Sequence, residues 1–553
     1  MRTALAVLII LLFAPFAGVV TGSAGQPVDL EIEGEEILPT YSRAVQLAFE
    51  RVGDMSGYSK QDLAGANEWL VVTRVPLDKH QWTKAAPASS ELAPILRGAY
   101  IWNFESPIES IPLLQQSLEL GEIESFSPLV EKQQHARLAP NDTEFDAQWH
   151  LENTGQTNGL SGEDVNVTST WDTYSGSGVI ISVVDDGLDH SHSDLSPHYS
   201  PQLSYDWCDD DDDPSPSNWN GHGTAVAGVA AAVGDNSLDV TGVAFNATIA
   251  GSTLIACSTG DSLEAEALSF ENEDIDIYTN SWGPADDGRT LEAPGPLTLA
   301  AFESDAYSGR DGLGNLITWA AGNGLGSNDD SNYDGYANSR FTIAVTAINH
   351  NGEQSNYAEP GANILVAAHS NGDGEGITTT DITGSGGYSN GNVTHTFGGT
   401  SSATPLAAGV IALVLDANEN LTWRDVQHVL VNSARMNDAS DSSWAVNGAG
   451  HDVSHKYGFG VVDAGAAVAV AESWVNVNEE FNSTYGPYTL DTDIPDGNAS
   501  WSEYTTVVTD EYSLESVDLV VDITHAYRGD LDIVLVSPSG TESWLAESRS
   551  DNG

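Results

Sequence analysis

One stretch of the chain, Val179-Ile180-Ile181-Ser182-Val183-Val184, constrains the fold more than any other. It is rich in β-branched residues and shows no alternation with polar ones. A strand with one wet face alternates, so an unbroken apolar run reads as a parallel strand covered on both faces. Parallel strands are joined by crossovers, which places helices over the sheet. Residues 247–250, 316–320 and 341–345 read as further short strands. Residues 224–233 read as a closely packing helix of small residues, and residues 405–416 as an apolar helix with Pro405 in its first turn. The stretch from about Asp142 to Trp474 is therefore expected to be an α/β domain with a mainly parallel sheet.

The same run ends on Asp185-Asp186-Gly187, at the edge where α/β sheets carry their sites. Two further runs follow, Gly221-His222-Gly223-Thr224 and Gly399-Thr400-Ser401-Ser402-Ala403-Thr404-Pro405. Ser401, at a helix start, offers a hydroxyl nucleophile. His222 offers the general base, and Asp185 the carboxylate that fixes its tautomer. A fourth piece, Trp319-Ala320-Ala321-Gly322-Asn323-Gly324, places an amide on a Gly-rich turn after a strand, where it can meet a developing oxyanion. Each motif alone has a plain structural reading: an Asp-Gly turn, a packed histidine, a helix-capping serine, an Asn-Gly turn. Taken together and in this order, they read as the catalytic groups of a serine endopeptidase.

Composition narrows the partners. The 553 residues carry 18 basic against 81 acidic side chains, a net charge of -63. Phosphate binding needs basic patches, so nucleic acid is excluded as the expected partner. Cys208 and Cys257 are the only cysteines, which excludes a disulfide scaffold and leaves open whether they bridge. Met1-Arg2, an apolar stretch over 4–20 and Gly22-Ser23-Ala24 read as a signal peptide, residues 1–24, with an uncleaved anchor as the alternative. The product is then secreted or held at the cell surface. Residues 25–137 form a first unit, helical near 44–49 and extended near 69–73. It closes on Lys132-Gln133-Gln134-His135-Ala136-Arg137, where a basic residue in so acidic a chain reads as a processing site. After the catalytic region, residues 138–474, the short β segments at 504–508, 517–523 and 531–536 read as the start of a β-sandwich, residues 475–553, incomplete at its C-terminal end.

Four longer stretches make the chain recognisable: Ser281-Trp282-Gly283-Pro284-Ala285-Asp286-Asp287-Gly288, Asp334-Gly335-Tyr336-Ala337-Asn338-Ser339, Asn420-Leu421-Thr422-Trp423-Arg424-Asp425-Val426-Gln427-His428 and Tyr457-Gly458-Phe459-Gly460. With the triad order Asp, His, Ser, it resembles the subtilisin-like serine proteases, and among them the kexin/furin proprotein convertases. The resemblance implies a subtilisin-like fold followed by a P (homo B) domain. It also implies a propeptide that acts as chaperone and inhibitor, cut after Arg137. Asp286 and Asp334 then line the pocket for an arginine before the scissile bond, where two carboxylates suit a bidentate guanidinium. By the same resemblance Asp186 meets a second basic residue, and Glu264 and Glu292 one further upstream. Calcium is implied at three places. One set is Asp142, Asp194 and Asn236 with the carbonyls of Val233, Leu238 and Val240; another is Asp286, Asp329 and Glu359. The third is Asp206, Asp211 and Asp213, in and beside a run of five aspartates. The chain departs from the family at Trp219 and Ala285, where the resemblance leads one to expect acids, and this weakens a strict dibasic requirement. The expected function is a monomeric, calcium-dependent endopeptidase acting on proteins or peptides after Arg, preferably after paired basic residues. The alternatives are a degradative subtilisin of broad specificity and a non-catalytic surface protein on a protease scaffold.

Overall fold

The computed structural model describes residues 7–11, 66–74, 80–81, 86–93, 98–105, 107–129, 139–217, 219–495, 501–510 and 512–551. The chain divides into two compact units, residues 17–136 and residues 137–553 with 1–16. Apart from one strand, β1 (Val7–Leu11), the expected signal segment lies outside the described residues, as do residues 44–49 and Arg137.

The first unit holds β2 (Glu68–Thr73), β3 (Ser89–Leu92), β4 (Ala99–Asn103), α1 (Pro107–Glu119) and β5 (Ile123–Pro128). Its antiparallel sheet has the order β3-β4-β2-β5. Trp69, Val71 and Trp102 from the sheet and Leu113 and Leu114 from α1 form its apolar core.

The second unit is built on β6 (Ile180–Asp185), β7 (Tyr205–Asp206), α2 (His222–Ala231), β8 (Thr248–Thr253), α3 (Asp261–Leu268), β9 (Ile277–Asn280), α4 (Pro296–Gly312), β10 (Leu316–Ala320), β11 (Thr342–Ile348) and β12 (Ile364–His369). Seven strands form one sheet, β12-β11-β10-β9-β6-β8-β7, and every pair in it is parallel. A hairpin, β13 (Ile377–Gly384) and β14 (Gly391–Phe397), precedes the long helix α5 (Thr400–Ala417). Then come α6 (Trp423–Ser433), the two-residue strands β15 (Ala445–Val446) and β16 (Asp452–Val453), and α7 (Ala464–Ala471). α5 is buried along nearly its whole length, because Ala, Val, Ile and Leu occupy all its faces rather than one stripe. The main core runs through α2, α5, α6 and one face of the sheet, and a second core of Tyr278, Phe302, Ile317 and Trp319 lies with α3 and α4.

α5 begins earlier than the sequence reading has it. Gly399 is its N-cap and Thr400 its first residue, so Pro405 lies inside the helix rather than in its first turn. A proline has no N–H for the carbonyl four residues back. Ser401 O therefore lacks its helical partner, and the Ser281 hydroxyl donates to it at 3.1 Å.

Beyond α7 the described residues are without regular structure as far as 495, and β17 (Ser502–Thr506), β18 (Ile533–Val536) and β19 (Glu542–Ala546) follow. β18 and β19 are antiparallel, and β1 pairs in parallel between β17 and β18. Residues 517–523, expected to be a strand, are irregular. Val517, Val520 and Val521 are exposed there, so the apolar pattern finds no sheet to pair with.

Cys208 and Cys257 form a disulfide that ties the loop after β7 to the loop after β8, across 49 residues of chain. Closing a loop of that length restricts the unfolded ensemble. The double substitution Cys208→Ala/Cys257→Ala should cost about 2–4 kcal/mol of stability. Denaturant unfolding measures this, and an unchanged midpoint contradicts it.

Candidate active site

The C-terminal ends of β6, β9 and β10 and the N-termini of α2 and α5 meet at one edge of the sheet, because all these strands run the same way. Asp185, the last residue of β6, is 1% exposed. His222, the first residue of α2, points Nδ1 at Asp185 Oδ1 at 2.8 Å and Oδ2 at 3.0 Å. Burial alone would lower the imidazole pKa. The charge and hydrogen bond of Asp185, with the charge of Asp186, outweigh it and hold the ring above its ordinary value. Phe397, at the end of β14, meets the ring edge-on at 5.5 Å.

Ser401 lies in the first turn of α5, and its hydroxyl donates to Ser281 O at 3.3 Å. Ser281 follows β9 directly, so the strand end and the helix start are joined by two hydroxyls working in opposite directions. Among the described residues no hydrogen bond joins Ser401 Oγ to the His222 ring, and catalytic hydrogen bonds commonly form only when substrate is bound. Asn323 accepts the Thr400 N–H at 2.8 Å and the Thr400 hydroxyl at 3.1 Å on its Oδ1. That assigns the amide orientation: Oδ1 is committed to α5, and Nδ2 is left to donate beside the free N–H of Ser401. Two such donors are the kind of groups that suit a developing oxyanion. The roles of Ser281 and Thr400 escaped the sequence reading, because a lone serine or threonine carries no spacing signal.

Asp186 does not hang free in the cleft. Its Oδ1 accepts the Gly223 N–H at 2.8 Å and its Oδ2 the His222 N–H at 3.3 Å, so it caps α2. Burial and the neighbouring charge of Asp185 push its carboxyl up to about 6.

A second acidic group lies beyond Ser281. Asp334 Oδ1 accepts the N–H of Tyr336 at 2.7 Å. Its Oδ2 lies 2.8 Å from where a Cβ on Gly283 would stand, so glycine is required for so close a passage. Burial, and then the charges of Asp286 and Glu292, push Asp334 up to about 7. Asp286 is exposed and accepts the Asn323 N–H at 2.9 Å. Beneath it, Asp329 accepts the Gly288 N–H at 2.8 Å, and Glu359 the Gly324 N–H at 2.7 Å. Any side chain at Gly322 would collide with the Glu359 carboxylate. Burial, with the charges of Asp329 and Asp286, raises Glu359 to about 9. The like charges of Asp329 and Asp286 on Glu359 are what a divalent ion would relieve, although Arg549 already acts on Asp329 and the three carboxylates do not all bring oxygens within 4.8 Å of one another.

Glu264 is 8% exposed and accepts from the Thr259 hydroxyl at 2.7 Å and from Tyr336 OH at 2.8 Å. Glu292 is exposed and joined to the same wall through its backbone, with Gly335 N–H donating to its carbonyl at 2.8 Å.

The other two expected metal groups differ. Asn236 links Asp142, which accepts its N–H at 3.2 Å, to Asp194, which accepts from its Nδ2 at 3.0 Å. Burial raises both carboxyls. Buried carboxylates, a side-chain amide and nearby carbonyls are a hard oxygen set, which suits calcium. His192, Asp194 and Asp239 are the only His/Cys/Asp/Glu group among the described residues with ligand atoms all within 4.8 Å. The histidine is already committed, however. Its Nδ1 accepts the Asp194 N–H at 3.0 Å, and its Nε2 donates to Asn392 O at 2.8 Å. In the third set, Asp213 pairs with His190 at 3.0 Å and accepts the Ser215 N–H at 3.1 Å. That leaves Asp206 and Asp211 joined only through their backbones, and this set fits a cation least.

Residues 307–340 also meet the C-terminal region. Tyr333 OH donates to Glu547 O and accepts the Glu547 N–H, both at 2.8 Å, and the Arg549 guanidinium stacks 3.7 Å over its ring.

Known proteins resemble this chain over most of its length. Residues 176–460 match the subtilase family, and residues 514–553 match the proprotein convertase P-domain. The PC3-like endoprotease variant B of Hydra vulgaris is 41% identical over 424 residues, covering 74% of this chain and 59% of that protein. Neuroendocrine convertase 2 of Homo sapiens is 39% identical over 435 residues, covering 74% of this chain and 66% of the relative. The chain thus spans less than two thirds of the length of these relatives. Among solved structures, Aeromonas sobria serine protease in complex with the chaperone ORF2 superimposes with a TM-score of 0.64. It is 27% identical, over 73% of this chain and 79% of that one.

The Asp185–His222 pair has a direct test. In an NMR titration the His222 ring should titrate above 6.5, the ordinary histidine value. Asp185→Asn should bring it down, because the charge that outweighs burial is gone. A titration point unmoved by that substitution contradicts the pairing.

Proposed function

Since this chain belongs to the subtilase family, in its kexin/furin proprotein-convertase branch, we propose that it is a serine endopeptidase that hydrolyses peptide bonds after arginine, preferentially after paired basic residues. What supports the reading is the Asp185–His222 hydrogen bond at the end of β6, together with a serine in the first turn of α5 whose neighbour Thr400 engages Asn323 Oδ1. His222 takes the proton of Ser401 Oγ as the oxygen attacks the scissile carbonyl carbon. The carbonyl π electrons move to oxygen, which Asn323 Nδ2 and Ser401 N–H hold. His222 then passes the proton to the leaving amine as the C–N bond breaks. Water repeats the sequence on the acyl-enzyme, with His222 again as base, and regenerates Ser401.

Specificity rests on Asp334 and Asp286. A carboxyl raised to about 7 by burial and like charges regains its ionised form when a guanidinium arrives. Calcium is proposed at two sites, one held by Asp286, Asp329 and Glu359, the other by Asp142, Asp194 and Asn236 with the carbonyls of Val233, Leu238 and Val240. The ion would supply positive charge that lets these acids stay together. Residues 25–137 are proposed as a propeptide released after Arg137, and the enzyme as secreted or surface-held, working as a monomer.

Ser401→Ala should lower turnover by about 10⁶-fold and leave the propeptide attached when no other protease is present. Peptides with Arg before the cut should be hydrolysed at least 100-fold better than their Leu or Phe counterparts. Equal rates would favour a broad-specificity subtilisin.

Excess chelator should lower the thermal midpoint of the purified protein, and added calcium should restore it. A midpoint indifferent to both would remove the metal from the reading.

A further inference from the structure

Trp219 is out of place for a buried-type side chain. It is 79% exposed, three residues before His222. Its φ of 78° lies in the left-handed region, which a bulky side chain adopts only when its surroundings impose it. The imposition is visible: the Trp219 N–H donates to Gly386 O at 3.0 Å, and the Asn220 N–H closes a turn on Ser217 O at 3.0 Å. Gly386 lies in the tip of the β13–β14 hairpin, which is itself held by a buried carboxyl group. Asp381, 0% exposed, accepts the N–H groups of Ile382 at 2.9 Å, Tyr388 at 3.0 Å and Ser389 at 2.7 Å. Asp381 Oδ1 also lies 3.4 Å from where a Cβ on Gly221 would stand, so hairpin tip and catalytic turn are in contact.

The same tip carries a second aromatic. Tyr388 is half exposed, and its ring is 5.9 Å from Phe397, which meets His222 edge-on at 5.5 Å. Burial, and next the charge of Asp186, raise its phenol, as expected of a ring near that carboxylate. One exposed aromatic residue thus stands on the segment leading into His222, and a second on the hairpin tip that its backbone touches.

An extended peptide points successive side chains to opposite sides. With the arginine before the scissile bond in the Asp334 pocket, the side chain preceding it turns the other way, toward His222. We propose that Trp219 and Tyr388 form an aromatic shelf beside Asp186 that receives this preceding side chain and selects arginine over lysine there. This inference rests on the reading of the chain as an Arg-directed endopeptidase. The chemistry follows from what faces the subsite. Asp186 gives negative charge, but both its oxygens are engaged by backbone N–H groups, so it offers little to an ammonium that needs three acceptors. A planar, weakly hydrated guanidinium stacks on an indole or phenol face and needs fewer.

The test uses the mature, self-processed chain and four peptides that share Arg before the cut and differ only in the residue preceding it: Arg, Lys, Ala or Phe. Arg-Arg should exceed Lys-Arg in kcat/KM by about tenfold. Trp219→Asp should reverse the order in favour of lysine, and Tyr388→Ala should shrink the gap. A wild-type preference for Lys or Phe, equal rates for Arg and Lys, or a preference unchanged in Trp219→Asp would overturn the shelf. The affinities of the same peptides for Ser401→Ala, measured by calorimetry, keep the two readings apart. If the enzyme proves not to require Arg before the cut, the functional reading fails. Tighter binding of Arg-Arg than Lys-Arg, lost in Trp219→Asp, would then still support the shelf, and equal binding would still overturn it.

Discussion

The site depends on keeping a carboxylate charged at the bottom of a cleft. Asp185 is almost wholly buried, and a buried carboxylate without partners costs several kcal/mol (roughly). Its oxygens are met by the His222 ring and by the N–H of Asp186 at 2.7 Å. Those partners are available only because β6 ends there and α2 begins beside it. α2 is oriented in turn by Asp186, whose carboxylate caps its first N–H groups. One adjacent pair of acids therefore serves two ends: the first orients the base, the second fixes the helix that carries it.

The nucleophile is set by a matching arrangement on the other side. Pro405 frees the Ser401 carbonyl, Ser281 takes it, and Thr400 engages Asn323 Oδ1, which leaves the amide donor free of α5. None of these contacts is strong alone, at about 1 kcal/mol each for neutral pairs. Their effect is geometric, because they leave Ser401 Oγ with a weak 3.3 Å bond that substrate can displace.

What the sequence revealed follows the range of the interactions. The unbroken run over 179–184 predicts a buried parallel strand, and β6 is central in an all-parallel sheet. The four glycine-flanked motifs predict strand ends and helix starts, where they indeed lie. Pro405 was misplaced because a proline five residues into a helix mimics one at its start until the hydroxyl that compensates it is seen. Residues 517–523 have strand composition, but β structure also needs a partner, which composition does not encode. The orientation of Asn323, the capping role of Asp186 and the commitment of Asp213 to His190 all depend on residues tens of positions away, and no local pattern announces them.

The acidity of the chain makes its few cations informative. Arg549, with a side chain 4% exposed, covers Tyr333, and Arg528 donates to the carbonyl of Arg289 at 3.1 Å. Tyr333 precedes Asp334, and Arg289 lies three residues after Asp286, so the C-terminal region holds both segments that carry these two acids. Arg424 adds a bidentate pair with Glu515, at 2.8 and 2.6 Å, that anchors the same region to α6. Carboxylates as close as Asp286, Asp329, Asp334 and Glu359 repel one another, and the repulsion acts on the loops that carry them. Clamping those loops from outside holds the acids in register while they wait for positive charge. The C-terminal region in this sense supports the acidic cluster from outside.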